Sequence, residues 1–210
     1  TFPGSGNLQV LAFPAINNAG QVAFSTLSTA IVQYVSITPT APGALITVAD
    51  TQQGFTGMSS LTLNNNGVAV FSATSSTGPN ASHTGICTGN GGPLTTIADS
   101  TTTRQPYYSG GVPRIADNGE VAFLGFGADQ EITIKTASTF STVVQNNHTQ
   151  FEYLSDVALN NSGQVAFNTD DYTNGNNNGG YVYRCTPGDW LVTIRRAAST
   201  TPVSINEAGT

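Results

Sequence analysis

A short sequence pattern recurs four times along the chain and begins a fifth time, and this repeat constrains the fold more than any other feature. Each copy runs from an apolar residue through an Asn-rich turn and a glycine into a strand of the Val-Ala-Phe type. The copies begin at Ile16, Leu63, Ile115, Leu159 and Ile205. Successive motif glycines are 47, 52, 44 and 46 residues apart. Propellers and solenoids use repeats of this length.

The motif predicts a hairpin turn in which each residue has its own task. The side chain of Asn at the first turn position accepts backbone hydrogen bonds, and Gly at the fourth adopts a backbone conformation that side chains resist. In the strand that follows, Val and Phe share one face, so the four phenylalanines are expected at one equivalent buried position. Ala116 replaces the Asn of the third turn, which is therefore expected to lack this cap. The residues assigned structural roles are Asn17, Gly20, Phe24, Asn64, Gly67, Phe71, Gly119, Phe123, Asn160, Gly163 and Phe167.

Each repeat contains three more β-rich runs, marked by β-branched residues and short alternation. The run after the motif strand covers 30–35, 85–87, 131–135 and 181–185; the next covers 45–49, 94–98, 141–144 and 191–194; the last covers 60–63, 112–115, 157–159 and 202–205. Four antiparallel strands per repeat predict an all-β, β-propeller-like fold. A β-solenoid or an open array of β-sheets is the alternative.

The repeats divide the chain into one repeat domain, 1–210, with a leading strand and turn at 1–19. The four repeats then cover 20–66, 67–118, 119–162 and 163–210. On this count the strand-like segment 8–16 has no partner. Either the sequence is a fragment of a longer repeat protein, or segment 8–16 pairs with the open edge near 202–205 of another copy. Such strand exchange is head-to-tail and would build an open filament.

The motif copies resemble those of bacterial secreted proteins with tandem NxxGxxAF repeats. The match rests on Asn17, Gly20, Ala23 and Phe24 in the first copy and on the corresponding residues of the fourth, with partial copies between them. The resemblance implies propeller-like repeats and secretion. That family has no assigned catalytic residues to carry over, and its C-terminal surface-sorting segment is not found here.

Composition excludes several classes of protein. The chain carries a formal net charge of −6 and only 9% charged residues, with six Lys and Arg in all, too few for a basic nucleic-acid-binding surface. It contains no apolar run of about twenty residues, so no membrane span is expected. Scarce charge with abundant Thr, Asn and Gly fits an extracellular or cell-surface protein. The first residues lack the basic and apolar regions of a signal peptide, so an exported protein would be present here in mature form.

Candidate reactive groups are few and scattered. Asp170, Asp171, Asn174 and Asn176 offer the oxygen ligands that Ca²⁺ prefers, but no Glu closes this loop, which favours a solvated hairpin tip and no metal or other cofactor. His83 and His148 stand in polar loops without zinc spacing or a nucleophile motif. Asp50 and Asp99 occupy matching positions after the third strand, where a turn-forming Asp explains them better than acid–base chemistry.

Two other residue types bear on modification and redox state. Asn80 and Asn147 lie in glycosylation sequons and are candidate sites in an exported protein, whereas the sequon at Asn160 falls in a tight turn. Cys87 and Cys185 fall at matching places in the second strand of the second and fourth repeats. Because alternate repeats are not neighbours, the two cysteines are expected to lie too far apart for a disulfide.

These features predict a protein that is not an enzyme, with no catalytic or cofactor-binding residues. The first functional hypothesis is an extracellular structural or assembly subunit whose partners are other copies of itself. The alternative is a cell-surface binding module of the lectin or adhesin type, which recognises a surface glycan or protein through propeller-face loops.

Overall fold

The structure is a computed structural model. It describes residues 10–26, 30–35, 44–75, 84–99, 105–106, 111–126, 129–146, 151, 153–173, 176–189, 191–197 and 202–209. The chain forms two compact units, 1–96 and 97–210. No helix in the described ranges is long and apolar enough to cross a membrane.

The first unit contains two antiparallel sheets built from consecutive strands. Sheet 1 comprises β1 (Val10–Ile16), β2 (Val22–Thr26), β3 (Ala30–Val35) and β4 (Ala44–Asp50). A short 3-10 helix, Thr51–Gln53, follows it. Sheet 2 comprises β5 (Phe55–Leu63), β6 (Ala69–Ser75), β7 (Thr84–Gly89) and β8 (Thr95–Ala98), and the division between units falls within β8. A core that includes Val48 and Ala49 of sheet 1 and Phe71 and Cys87 of sheet 2 joins the two sheets.

The second unit repeats this arrangement. Sheet 3 comprises β9 (Gln105–Pro106), β10 (Arg114–Ile115), β11 (Val121–Phe126), β12 (Gln130–Lys135) and β13 (Phe140–Gln145). Sheet 4 comprises β14 (Tyr153–Leu159), β15 (Val165–Thr173), β16 (Asn176–Cys185) and β17 (Val192–Ala197). Leu124, Ile132 and Ile134 of sheet 3 pack with Phe167 and Tyr183 of sheet 4.

These sheets confirm the predicted all-β fold with four-stranded antiparallel units. In sheet 3, β9 and β10 both pair with β11 and together fill the place of one first strand. Pro113 precedes β10 and has no N–H to offer the ladder, which accounts for an interruption there. The predicted strand at 112–115 is accordingly reduced to its last two residues.

The pairing of β1 corrects the prediction that segment 8–16 lacks a partner. β1 is the first strand of sheet 1 and pairs antiparallel with β2, with Ile16 opposite Val22. Each sheet takes its first strand from the residues before the motif turn, because the turn closes a hairpin and so keeps both of its strands in one sheet. The sheets are therefore one strand out of phase with the repeats 20–66, 67–118, 119–162 and 163–210. Strand exchange through segment 8–16 was inferred from its lack of a partner, so the pairing of β1 with β2 removes the reason to propose it.

The segment that stays outside the four sheets is 202–206, which follows β17. The repeat predicts a strand at 202–205, but these residues form no strand in the structure. The fifth turn nevertheless forms, with Gly209 N–H donating to Asn206 O at 3.0 Å.

Candidate functional site: the turn edge

The motif turns share one geometry, which follows from their residue types. The motif glycines Gly20, Gly67, Gly119, Gly163 and Gly209 have φ between 73° and 85°. In this left-handed region a Cβ is strained, so glycine is favoured. Each glycine N–H donates to the carbonyl three residues earlier, at 3.0–3.2 Å.

The motif Asn side chain caps its own turn. Asn160 Oδ1 accepts from the N–H groups of Ser162 and Gln164 at 3.1 and 2.9 Å, and Asn17 and Asn64 do the same in their turns. All three side chains are buried. The turn residues inferred from sequence therefore hold their turns closed by the hydrogen bonds that the motif implied.

The same Asn side chains also link neighbouring repeats. Asn17 Nδ2 donates to Asn64 O at 2.9 Å, and Asn160 Nδ2 donates to Asn206 O at 3.0 Å. One amide group thus closes its own turn through its oxygen and holds the next turn through its nitrogen. Within each unit these bonds form what is here called the ladder, along the edge of the sheets that carries the motif turns, here called the turn edge.

A second set of rungs runs through the second turn position, which sequence analysis did not single out. Asn18 N–H donates to Asn65 Oδ1 at 2.9 Å in the first unit. In the second unit, Asp117 N–H donates to Asn161 Oδ1 at 2.6 Å and Asn161 N–H donates to Glu207 Oε2 at 3.0 Å. The signal was available in the sequence, because every copy carries an oxygen-bearing side chain at this position.

The third turn departs from this scheme as its sequence predicts. Ala116 keeps both backbone bonds of the turn, but it has no amide to cap it. Asn118 Oδ1 accepts from Glu120 N–H at 3.0 Å and supplies a local substitute.

Replacing Ala116 by Asn is expected to raise the free energy of unfolding by about 1–2 kcal/mol, because the new amide can cap the turn and reach Asn160 O. Urea denaturation of both proteins measures the difference. Ala116→Leu is the control, since it adds side-chain volume without an amide and should destabilise this buried position. An Asn variant no more stable than the parent would contradict the proposed equivalence of the turns.

An ion pair ties the first strands of the second unit together. Arg114 Nη2 lies 3.2 Å from Asp156 Oδ1, and Arg114 Nε donates to Val157 O at 2.7 Å. Asp156 Oδ2 accepts from Val203 N–H at 2.9 Å. Asp156 therefore connects sheet 3, sheet 4 and the C-terminal segment, a role that sequence analysis missed because its partners are 42 and 47 residues away.

Two neighbouring clefts open on the turn edge of the second unit, and Thr186 lines both. The larger, of about 330 Å³, is lined by Asn118, Glu120, Ile134, Thr136, Ser141, Asn161, Ser162, Gly163, Thr186 and Pro187. The smaller, of about 280 Å³, is lined by Gln164, Arg184, Cys185, Thr186, Asp189 and Val192. Arg184 also donates to Gly209 O, so the smaller cleft adjoins the fifth turn.

The predicted loop at 170–180 is mostly strand. Asp170 and Asp171 lie in β15 and Asn176 lies in β16, because the two strands continue pairing as far as Thr173 opposite Asn176. Asn174 lies outside the described residues. No group of three or more His, Cys, Asp or Glu side chains suited to a metal occurs in the described part of the chain. Three of the four proposed calcium ligands therefore lie in strands rather than in a loop, and calcium binding remains a prediction.

Of the other candidate residues, some lie within the described part of the chain and some do not. Asp50 caps the short helix: its Oδ1 accepts from Gln52 N–H at 2.9 Å and its own N–H donates to Gln53 Oε1 at 3.0 Å. This is the structural role that the turn-forming interpretation favoured. Candidates outside the described residues are His83, His148, Asn80 and Asn147.

Neither Cys87 nor Cys185 forms a disulfide in the structure, and both are buried. Their predicted equivalence is wrong by two residues, since Cys87 pairs with Phe71 whereas Cys185 pairs with Val165, and Tyr183 is the residue opposite Phe167. Burial first, and then the charge of Asp189, raises the pKa of the Cys185 thiol from 9.0 to about 11.

In a Cys87→Ala background, Cys185 is expected to react with iodoacetamide at pH 8 about a hundredfold more slowly in the folded protein than in urea, because the thiolate is the reactive form. Stability should also fall as the pH rises from 9 towards 11, since the unfolded chain ionises this thiol first. Mass spectrometry and urea denaturation at each pH measure the two effects. A Cys87→Ala/Cys185→Ala protein should lose this pH dependence, and an unchanged dependence would contradict the assignment to Cys185.

The fold described here is of the β-propeller type, built from four-stranded antiparallel sheets of consecutive strands. Residues 1–206 match the model of the protein family described as Family of unknown function (DUF7453), and the chain belongs to that family. A comparison with curated proteins finds no match.

Solved structures share this fold at low sequence identity. A puromycin-hydrolysing peptidase from Mycobacterium tuberculosis aligns with a TM-score of 0.60 at 12% identity, over 95% of this chain and 31% of the peptidase. A Hadza microbial sialidase aligns with a TM-score of 0.50 at 10% identity, over 93% of this chain and 48% of the sialidase. The chain thus spans less than half the length of either protein, and at these identities the likeness concerns the fold alone.

Proposed function

We propose that this protein is a non-enzymatic, extracellular structural subunit that assembles with copies of itself. The observation that carries the proposal is the turn-edge ladder, in which side chains of one repeat bond to the turn of the next. Two of the described carboxylates serve structural contacts: Asp156 pairs with Arg114, and Asp50 caps a short helix.

The hydrogen bonds of the ladder all point the same way along the chain, which supports assembly of copies in a single head-to-tail orientation. In both bonds between motif Asn residues, Asn17 to Asn64 and Asn160 to Asn206, the earlier repeat donates from its Asn amide and the later repeat accepts on its backbone carbonyl. The fifth turn joins the ladder even though residues 202–206 form no strand. A surface that repeats and has direction suits stacking of like units, and head-to-tail contacts need not close into a ring.

Light scattering coupled to size-exclusion chromatography, followed by negative-stain microscopy, tests the proposal. We expect concentration-dependent polymers that persist at 1 M salt (about a 3 Å Debye length), because the contacts involved are apolar and hydrogen-bonded rather than ionic. A monomer at every concentration tested would contradict self-assembly.

A second candidate function, a glycan-binding module of the cell surface, is favoured by the larger turn-edge cleft. Amide, hydroxyl and carboxylate groups of Asn118, Glu120 and Ser162 line it beside the apolar Ile134 and Pro187. Such a mixture suits the hydroxyl groups and C–H faces of a sugar. A glycan array with the parent protein and Glu120→Ala tests this: specific retention that the variant loses supports binding, and no retention contradicts it.

A further inference from the structure

The larger turn-edge cleft lies between the two sheets of the second unit. Ile134 and Ser141, which lie opposite each other on β12 and β13, line it from sheet 3. Ser162 of the fourth turn and Pro187 of the turn after β16 line it from sheet 4. Its volume of about 330 Å³ lies at the lower end of the range of roughly 300–1,000 Å³ for small-molecule sites, so it suits a single small ligand.

The third motif copy differs from the first and fourth at two positions that act together. In those two turns the amide of the motif Asn donates to the Gln that follows the motif glycine, as from Asn160 Nδ2 to Gln164 Oε1 at 3.0 Å. The third turn has Ala116 and Glu120 at these positions. No motif amide is therefore present to hold the acidic side chain against its own turn.

The Glu120 side chain reaches into the larger cleft instead. A Cβ at Gly163 would lie 3.4 Å from Glu120 Oε2, so the carboxylate extends across to the fourth turn. Within the described residues, no group donates a hydrogen bond to this carboxylate or bonds to the hydroxyls of Ser141 and Ser162. The described lining also includes no lysine, arginine or histidine. The cleft thus combines one uncompensated negative charge with serine hydroxyls that a ligand can reach.

The first unit fills the equivalent place with backbone. By strand register, Ile46 corresponds to Ser141, and Gly91 corresponds to Pro187. Gly91 lies so close to Ile46 that a Cβ on this glycine would collide with the isoleucine side chain. The opening between sheets 3 and 4 is therefore a feature of the second unit and does not follow from sheet packing in general.

We propose that this cleft binds the end of a neutral glycan and that Glu120 determines its specificity. The proposal rests on the second candidate function given above, glycan binding at the same cleft. The two carboxylate oxygens of Glu120 accept hydrogen bonds from neighbouring sugar hydroxyls, and bonds to a charged acceptor are the stronger kind. The hydroxyls of Ser141 and Ser162 bond to the same sugar, and a C–H face of its ring rests on Ile134.

The charge of Glu120 also excludes acidic sugars. A sialic or uronic acid would place its carboxylate beside that of Glu120, and the described lining supplies no cation to neutralise the pair. Juxtaposed like charges of this kind reject a ligand even where its hydroxyl groups fit. Discrimination between neutral and acidic glycans is therefore the property that Glu120 adds to the cleft.

A glycan array with matched pairs tests the proposal: glycans that end in a neutral hexose, and the same glycans capped with sialic acid. The parent should retain neutral members and reject their capped forms. Glu120→Ala should weaken retention about tenfold to a hundredfold, the effect of losing hydrogen bonds to a charged group. Glu120→Gln should lose less and should admit capped glycans. Asp189→Asn removes one charge outside the described lining of this cleft and, as the matched control, should bind like the parent.

Restoring the motif pair gives the sharpest result. Ala116→Asn/Glu120→Gln recreates the amide contact of the fourth turn, so it should stay folded by circular dichroism and lose neutral glycans as fully as Glu120→Ala. A parent that binds no glycan would overturn both this inference and the glycan-binding function. Equal retention of neutral and capped glycans by the parent, or undiminished binding by the double variant, would overturn the role of Glu120 while glycan binding itself stands.

Discussion

Replacing Phe167 by alanine is expected to lower the free energy of unfolding by about 3–5 kcal/mol. Phe167 is fully buried at the junction of sheets 3 and 4. Its ring stacks on Tyr183 at 5.7 Å between centroids and meets Phe151 edge-on at 6.3 Å. Truncation removes these ring contacts and leaves a cavity that the two sheets can close only by repacking against each other.

Urea denaturation followed by circular dichroism measures the loss. Tyr153→Ala is the control: it removes an aromatic ring of similar size from an exposed position and should change stability by no more than about 0.5 kcal/mol. A loss below about 1 kcal/mol for Phe167→Ala would show that the motif phenylalanine does not hold the sheets together.

Replacing Asn160 by alanine is expected to cost about 3 kcal/mol, since the side chain makes four hydrogen bonds and the groups it leaves are in a buried turn. Its Oδ1 accepts from two backbone N–H groups, and its Nδ2 donates to Gln164 Oε1 and Asn206 O. The loss should spread to the fifth turn, because Asn206 is held through this amide.

Asn160→Asp separates the two halves of this role. It keeps the acceptor that caps the turn but replaces the donor with a carboxylate oxygen that faces Asn206 O. Hydrogen exchange at Gly209 N–H should therefore accelerate in both variants, while protection at Ser162 N–H should be lost only in Asn160→Ala. Equal exchange at Gly209 in all three proteins would show that the ladder does not hold the fifth turn.

The motif residues were predictable from sequence because their interactions are local. Asn160 and Gly163 cap and bend a turn that they themselves belong to, so the repeat alone indicates their tasks. The four motif phenylalanines are all buried, which follows from the two-residue period of a strand with a covered face. The aligned repeat likewise indicates the all-β class and the four strands per unit.

The grouping of strands into sheets was not predictable in this way. A sequence repeat has no marked start, so any of its four strands can be counted as the first. The closed hairpin decides which strand comes first in each sheet. β1 therefore joins sheet 1, and the segment left outside the sheets is 202–206 rather than 8–16. The prediction of a loop at 170–180 is wrong for a related reason. Cross-strand pairing with β16 extends β15 over residues of low strand propensity.

The sequence by itself determined the repeat, the turn geometry and the fold class, because each depends on residues a few positions apart. Tertiary structure alone decided which residues of different repeats meet: the Asn ladder and the Asp156 link to Arg114 and Val203. Those contacts join residues 42 to 47 positions apart. Their partners are set by how sheets stack, and stacking depends on the burial of whole faces rather than on any local pattern.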